Sequence, residues 1–186
     1  MRKAMSATAL YLSVLLTPQS TLADAPDVCR SASSAELRLA ACTEVINGNN
    51  FSAEQKAVAY RNRGRARADA GALDQAIADL SEAIRLNADD NQAYIYRALA
   101  RLGRGDTNGA IADYDEVVRL RPASAIGYAG RGHAYLVQNN AEKAIADFSS
   151  ALRLNPESPS SLNNRGLAYK LSGDARRAID DYTKAI

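Results

Sequence analysis

Four arginines and four aspartates recur at a constant separation and are the residues of this sequence best suited to a regular chemistry. A guanidinium and a carboxylate can pair bidentately, so the pattern predicts a ladder of partly buried ion pairs that fixes the geometry of a repeated unit. The alternative, an arginine ladder that binds an acidic ligand, is weaker because every arginine has its own aspartate in register. The pairs are Arg63 with Asp79, Arg97 with Asp113, Arg131 with Asp147, and Arg165 with Asp181.

Catalytic chemistry is hard to assemble from this sequence. His133 is the single histidine, so a histidine-rich metal site is excluded and a catalytic triad would have to be built on it. Ser149 and Ser150 are not surrounded by a nucleophile-elbow sequence. The glycines do not form a phosphate-binding loop. We therefore expect no enzyme activity, no cofactor and no metal site.

The two cysteines permit one intramolecular pairing. On one continuous helix, Cys29 and Cys42 would lie roughly 20 Å apart, beyond the reach of a disulfide. Ser33 and Glu36 have the spacing of a capping box, which predicts that a helix begins near Ser33. The chain can then double back and place Cys29 against Cys42, so we expect a structural disulfide. Redox-active thiols are the alternative, but a CxxC spacing is missing and Cys42 occupies a core position.

Residues 1–23 have the three parts of a secretory signal peptide. A basic start precedes an apolar run over residues 7–16, and small residues end the segment. We expect cleavage before Asp24 and export to the periplasm or the medium of a bacterium, where disulfides form. An uncleaved membrane anchor is the weaker alternative, because the run is about half as long as a spanning helix. After removal of the signal we expect no stable insertion into a membrane.

The composition and charge indicate a folded chain without a general affinity for nucleic acid. Hydrophobic residues make up 47% of the 186 residues, which is typical of a globular protein. Removing Arg2 and Lys3 with the signal leaves 21 of the 23 basic residues, equal to the 21 acidic residues. A nearly neutral chain is not expected to bind nucleic acid through its phosphates.

Two helical patterns separated by a polar break recur with a period of 34 residues. In residues 125–158 the first pattern contains Tyr128 and Gly132, and the second contains Ala144 and Phe148. A fixed period of this length is typical of a repeat protein, and each unit has small residues at the same two places. The small residues are Gly64, Ala98, Gly132 and Gly166 in the first pattern, and Ala76, Ala110, Ala144 and Ala178 in the second.

These recurring positions closely resemble the tetratricopeptide repeat (TPR) family from about residue 57 to residue 186. The resemblance implies an all-α fold, a right-handed superhelical solenoid of antiparallel helix pairs. This chain departs from the family in lacking tryptophan at the first aromatic position, where Tyr60, Tyr94, Tyr128 and Leu162 stand. We expect an N-terminal cap or degenerate half-repeat with the cysteine pair over residues 24–56, and repeats over 57–90, 91–124, 125–158 and, incompletely, 159–186.

The resemblance also implies a binding site, since the family binds extended peptides or partner helices in the concave groove lined by the first helices. A groove with a basic entrance and an apolar and aromatic middle suits a segment with a hydrophobic stretch and an acidic end. The carboxylate clamp of some members is not carried over, because Tyr96, Ile126 and Gly130 occupy the clamp positions. The groove residues by register are Arg61, Asn62, Arg65, Ile95, Tyr96, Leu99, Ile126, His133, Asn163 and Asn164.

The expected function is that of a scaffold or adaptor in the cell envelope, with a protein or peptide partner. The first alternative is a regulatory or targeting module of a larger enzyme or envelope complex. The second is a groove for a small molecule or a glycan, for which Asn62, Tyr96 and His133 are candidates.

The sequence ends at Ile186 inside a second helix, which we interpret first as a fragment of a longer protein. Two alternatives are self-association through this uncapped C-terminal end and a partner that covers it. The apolar end face would contain Leu171, Ile179, Tyr182 and Ile186.

Overall fold

A computed structural model describes residues 25–186, so the expected signal peptide lies outside the described residues. Within this range the chain forms ten α-helices and no β-strand. Their bounds are α1 Ala25–Ser31, α2 Ala35–Asn47, α3 Ala53–Asp69, α4 Leu73–Leu86, α5 Asn91–Gly103, α6 Thr107–Leu120, α7 Ala125–Val137, α8 Ala141–Leu154, α9 Pro159–Leu171 and α10 Ala175–Lys184.

Each helix packs against the helices before and after it in the sequence, which produces an array of helix pairs. The predicted all-α solenoid is confirmed. The first helices of the four repeats are α3, α5, α7 and α9, and the second helices are α4, α6, α8 and α10. Successive first helices also contact each other, as α3 does with α5 and α7 does with α9. The first helices therefore line the inner side of the array, and the second helices form its outer layer.

Polar side chains fix where the helices begin. The Ser52 hydroxyl accepts a hydrogen bond from the backbone N–H of Gln55, whose side chain bonds back to the Ser52 N–H to complete a capping box. Asp106, Asn140 and Asp174 cap α6, α8 and α10 in the same register of three successive repeats. Each satisfies a backbone N–H that the first helical turn leaves without a partner.

The turn inside each of the four helix pairs from α3 to α10 contains a residue with a left-handed backbone conformation. Gly71, Gly105 and Gly173 have φ angles of 78°, 85° and 85°, and Asn139 has 58° at the corresponding position of the third repeat. Glycine adopts this conformation without steric cost, and asparagine tolerates it better than most residues. The same turn conformation therefore recurs in each of these four pairs.

The two helices of a repeat meet at a seam between a small residue and a bulky one. A Cβ atom added to Gly64 would lie 2.7 Å from Cγ of Leu80, so the glycine is what permits the close approach. Ala98 packs in one buried cluster with Tyr114 of its partner helix. In the N-terminal cap, Cys29 and Cys42 form a disulfide between α1 and α2 at the corresponding seam.

The N-terminal cap differs from the half-repeat expected from the sequence. Residues 25–31 form a helix of their own, α1, which packs against both α2 and α3 as a shortened first helix would. The predicted capping box of Ser33 and Glu36 is wrong, because Ser34 is the capping residue and its hydroxyl accepts from the Leu37 N–H. The capping residue of α2 therefore lies one residue later than predicted, and Ser33 forms part of the bend that follows α1.

Candidate partner-binding groove

Each arginine of the predicted ladder is hydrogen-bonded to its own predicted aspartate. Arg63 donates through Nε and Nη2 to Asp79 at 2.8 and 2.7 Å, and Arg131 donates through the same atoms to Asp147 at 2.8 Å each. Arg165 makes both bonds to Asp181 at 2.7 Å. The four aspartates are buried on the second helices. A buried carboxylate needs such partners, because burial without compensation is costly.

The Nη1 atom of each ladder arginine donates a hydrogen bond to the preceding helix pair. Nη1 of Arg97 donates to the Ser81 hydroxyl at 3.0 Å, and Nη1 of Arg165 donates to the Ser149 hydroxyl at 3.2 Å. The corresponding atom of Arg131 donates to Asp115 at 2.6 Å. The ladder therefore connects neighbouring repeats as well as the two helices of one repeat.

Tyrosines at the first aromatic position lie next to the ladder. The guanidinium carbon of Arg63 is 5.5 Å from the ring centroid of Tyr60, and that of Arg97 is 5.6 Å from the ring of Tyr94. In the fourth repeat, where Leu162 stands at this position, Arg165 lies 5.8 Å from the ring of Tyr169 instead. A ring face attracts a cation at these distances and shields it from water.

The ladder arginines are thus occupied by their own aspartates and neighbouring rings. Arg67 and Arg101, one helical turn further, also point to these carboxylates, with Nη1 2.8 Å from Asp79 and Asp113 respectively. Asp113 is only 2% exposed at its side chain. This arrangement is that of a structural network, and the groove is the better candidate for a ligand.

The inner face of the array exposes apolar side chains. Five of the nine large hydrophobic residues that are exposed in residues 25–186 lie on α5, α7 and α9, so exposure is concentrated on the first helices. Leu99 and Leu167 share one register with His133, which is also exposed. Ile126 and Val137 lie on the same face of α7 as His133, by the helical spacing. The exposed Leu171 continues this face on α9.

Three of the predicted groove residues have other roles. Ile95 is only 8% exposed and packs in the core with Tyr94, because α5 turns this position towards α6. Arg61 donates through Nη1 to Asp90 at 2.9 Å, and Asp90 is buried at the start of α5. Asn62 donates its side-chain N–H to the carbonyl of Cys29, so it connects the cap to the first repeat.

The other predicted residues line the groove. Arg65 and Tyr96 contact each other across α3 and α5: Nη1 of Arg65 donates to the Tyr96 hydroxyl at 3.2 Å. Leu99, Ile126, His133 and Asn163 are exposed, and Asn164 is half-buried on α9. The binding roles of all of these residues remain predictions.

The sequence did not single out Val137 and the capping carboxylate Asp90 of this region, and it placed Leu171 only in the apolar end face. A signal existed for the two apolar residues, since each lies one helical turn after a groove position, at His133 and Leu167. The contact of Asp90 with Arg61 had no such signal, because these residues are far apart in sequence and meet only when α3 and α5 are stacked.

The groove has little negative charge. Helices α5, α7 and α9 contain neither aspartate nor glutamate, whereas the four second helices α4, α6, α8 and α10 all contain carboxylates. Arg65 and Lys170 add positive charge to the first helices. An acidic segment would therefore meet no repulsion along most of this groove.

No helix in residues 25–186 is both long enough and apolar enough to cross a membrane. Within the same range, no three histidine, cysteine, aspartate or glutamate side chains are grouped closely enough to hold a metal ion.

Comparison with known proteins gives matches to repeat families and to solved structures. A family model described as tetratricopeptide repeat matches residues 61–125, and one described as TPR repeat matches residues 134–173. No curated protein sequence matches the chain.

The similar solved structures include a crystal structure of MamA protein, with 21% identity and a TM-score of 0.77 over 88% of this chain and 87% of that one. Another is MamA 41-end from Desulfovibrio magneticus RS-1, with 22% identity and a TM-score of 0.78 over 88% of this chain and 90% of that one. At these identities the likeness shows a shared fold.

Proposed function

Since the chain belongs to the tetratricopeptide repeat family, whose members are generally non-enzymatic scaffolds for protein interactions, we propose that its groove binds a segment of a partner protein. The bound segment is an extended peptide or a helix that lies along α5, α7 and α9. The observation that carries this proposal is the concentration of exposed apolar side chains on the helices that lack carboxylates. Exposed apolar surface of this kind is typical of an interaction site.

A photo-crosslinking experiment tests the proposal in the cells that produce the protein. A photoreactive amino acid is placed at Leu99 or Ile126 in the groove, and at Leu154 on α8 as a matched control. All three positions carry exposed apolar side chains, but Leu154 lies on a second helix. We expect crosslinked partner protein from the groove positions and not from the control. Equal crosslinking from Leu154, or none from the groove, would contradict the proposal.

We further propose that the protein acts in the cell envelope after export. The buried disulfide between Cys29 and Cys42 supports this proposal, because such bonds persist in oxidising compartments. The test is a fusion of residues 1–30 to a reporter enzyme that is active only outside the cytoplasm, with Leu15→Arg as the control that interrupts the apolar run. Equal reporter activity with both segments, or none with the native one, argues against export.

A further inference from the structure

A cleft of about 360 Å³ opens from the groove between α3 and α5. Its walls are apolar and are formed by Leu73, Leu99 and the two alanines Ala68 and Ala100, while its polar lining comes from Arg65, Asp69 and Tyr96. This volume can accommodate one large side chain of a bound segment. The cleft thus combines an apolar interior with a charged rim, which is the composition of a pocket that selects a ligand.

Arg65 is the arginine of this region that has room to bind a ligand. Its neighbours Arg61 and Arg63 donate to buried carboxylates at 2.9 and 2.7 Å. The Nε atom of Arg65 lies 3.9 Å from Asp69, and the two side chains are 54% and 67% exposed. An exposed contact of this length contributes little stability, so a carboxylate of a ligand can replace it at low cost.

Tyr96 holds the Arg65 guanidinium at the rim of the cleft. The guanidinium carbon lies 5.2 Å from the ring centroid, and Nη1 donates to the phenol oxygen at 3.2 Å. These contacts leave the other guanidinium N–H groups of Arg65 for a ligand. A guanidinium positioned in this way can form two parallel hydrogen bonds with a carboxylate.

The same cleft is not built at the later repeat junctions. Thr107 and Ala141 stand at the register of Leu73, and Gly130 and Asn164 stand at the register of Tyr96. These smaller or polar side chains provide neither the apolar wall nor the aromatic ring. Among the junctions between the four repeats, the first therefore has both the apolar wall and the aromatic ring.

We propose that this cleft takes a large apolar side chain of the partner segment, and that an adjacent aspartate or glutamate of the segment pairs with Arg65. This inference rests on the proposed function of the groove and assigns its sequence preference. Complementary charge favours this occupant, since α5, α7 and α9 contain no carboxylate. Asp69 is the one acidic residue of the cleft lining, and its contact with Arg65 is the exposed one that a carboxylate of the ligand replaces. The partner is thus recognised by a hydrophobic residue next to an acidic one.

A displayed library of random short peptides tests this preference against residues 24–186 with the disulfide intact. We expect selected peptides to contain a large apolar residue next to aspartate or glutamate. The Arg65→Glu variant should shift the selection towards lysine or arginine at that neighbouring position. It should also weaken binding of the wild-type peptides by about tenfold or more. Arg85→Glu on α4 is the matched control, because it reverses an exposed charge on a second helix, outside the groove.

Separate outcomes distinguish the cleft from the groove. Peptides whose binding is lost in an Ile126→Glu and Leu167→Glu double variant, but is unchanged by Arg65→Glu, would overturn the cleft assignment and leave the groove proposal standing. Failure to select any peptide would contradict both. A dimer in light scattering that Arg65→Glu disperses would assign the cleft to a second copy of the chain and would also overturn the inference. Circular dichroism verifies that every variant keeps its helices.

Discussion

The guanidinium of Arg131 reaches back to Asp115 on the preceding helix pair, where its Nη1 atom donates a 2.6 Å hydrogen bond. Its Nε and Nη2 atoms donate to the carboxylate of Asp147 in its own repeat at 2.8 Å each. The hydrogen bonds to Asp147, with a further bond to Asp115, raise the pKa of Arg131 above its ordinary value. One side chain therefore joins α6, α7 and α8.

Arg131→Ala should destabilise the array by about 3 kcal/mol, because it leaves the buried carboxylate of Asp147 without its bidentate partner. Arg131→Lys should lose less, since it keeps the charge but not the planar fork. Urea unfolding followed by circular dichroism measures both changes.

Arg153→Ala is the control for this series. Arg153 is exposed and donates to Ser150 on its own helix, so we expect a change of less than about 0.5 kcal/mol. An Arg131→Ala protein as stable as the Arg153→Ala protein would show that the ladder does not hold the repeats together.

The within-repeat bonds of the ladder could be predicted because both residues recur in every repeat. The hydrogen bond from Nη1 to the preceding repeat could not be predicted, because its acceptor changes type. It is a serine at Ser81 and Ser149 but an aspartate at Asp115. A position that changes its residue type gives no periodic signal. Only the stacking of the helix pairs brings these acceptors within reach of an arginine.

The groove was predicted by register, and register does not determine how far each side chain is exposed. Ile95 and Asn163 occupy corresponding positions of two repeats, yet Ile95 is buried and Asn163 is exposed. Hydrophobicity accounts for the difference, because an apolar side chain at the border of the groove gains free energy by turning into the core. Register likewise did not predict that Arg61 pairs with Asp90, the buried capping residue of α5.

Alkaline pH should destabilise the protein through Tyr114. Burial of its ring, with the charge of Asp113 adding to the effect, raises the pKa of Tyr114 from 10.0 to about 12. The native state therefore binds this proton more tightly than the unfolded state. Its contribution to stability is complete below pH 10 and is lost as the pH rises to about 12, by about 2–3 kcal/mol in total.

The Tyr114→Phe variant isolates this contribution. It removes the titrating hydroxyl and keeps the ring, so its stability at pH 7 should differ from that of the native chain by less than about 1 kcal/mol. Between pH 10 and 12 its unfolding free energy should fall less steeply. Parallel curves for the two proteins over this range would contradict the assigned pKa.

The turn glycines should be replaceable by asparagine at a lower cost than by alanine. Gly105 has a φ of 85°, and a Cβ atom added to it would have no atom within 4 Å. Any loss of stability on substitution therefore reflects the backbone conformation alone. We expect about 1 kcal/mol for Gly105→Ala, and about half of this for Gly105→Asn. Asn139 already occupies the corresponding turn. Thermal unfolding measures the difference, and equal losses for the two variants would refute the role assigned to the left-handed backbone.

Removal of the disulfide should destabilise the N-terminal cap and leave the distant repeats folded. The bond between Cys29 and Cys42 closes a short loop, and its loss in a double serine variant should cost about 3 kcal/mol. Each helix pair contacts only its neighbours, so hydrogen exchange should accelerate in α1 and α2 and stay unchanged in α7 and α8.

A reducing agent should have the same effect on the native protein and none on the double serine variant, which separates the bond from other consequences of the substitutions. Faster exchange throughout the array would instead show that the cap stabilises all repeats together. Asn62 is one of the residues that join the cap to the first repeat, since it bonds the carbonyl of Cys29 from α3, beside the bond from Arg63 to Thr43. Asn62→Ala should therefore accelerate exchange in α1 even with the disulfide intact, because it removes this hydrogen bond between the cap and the first repeat.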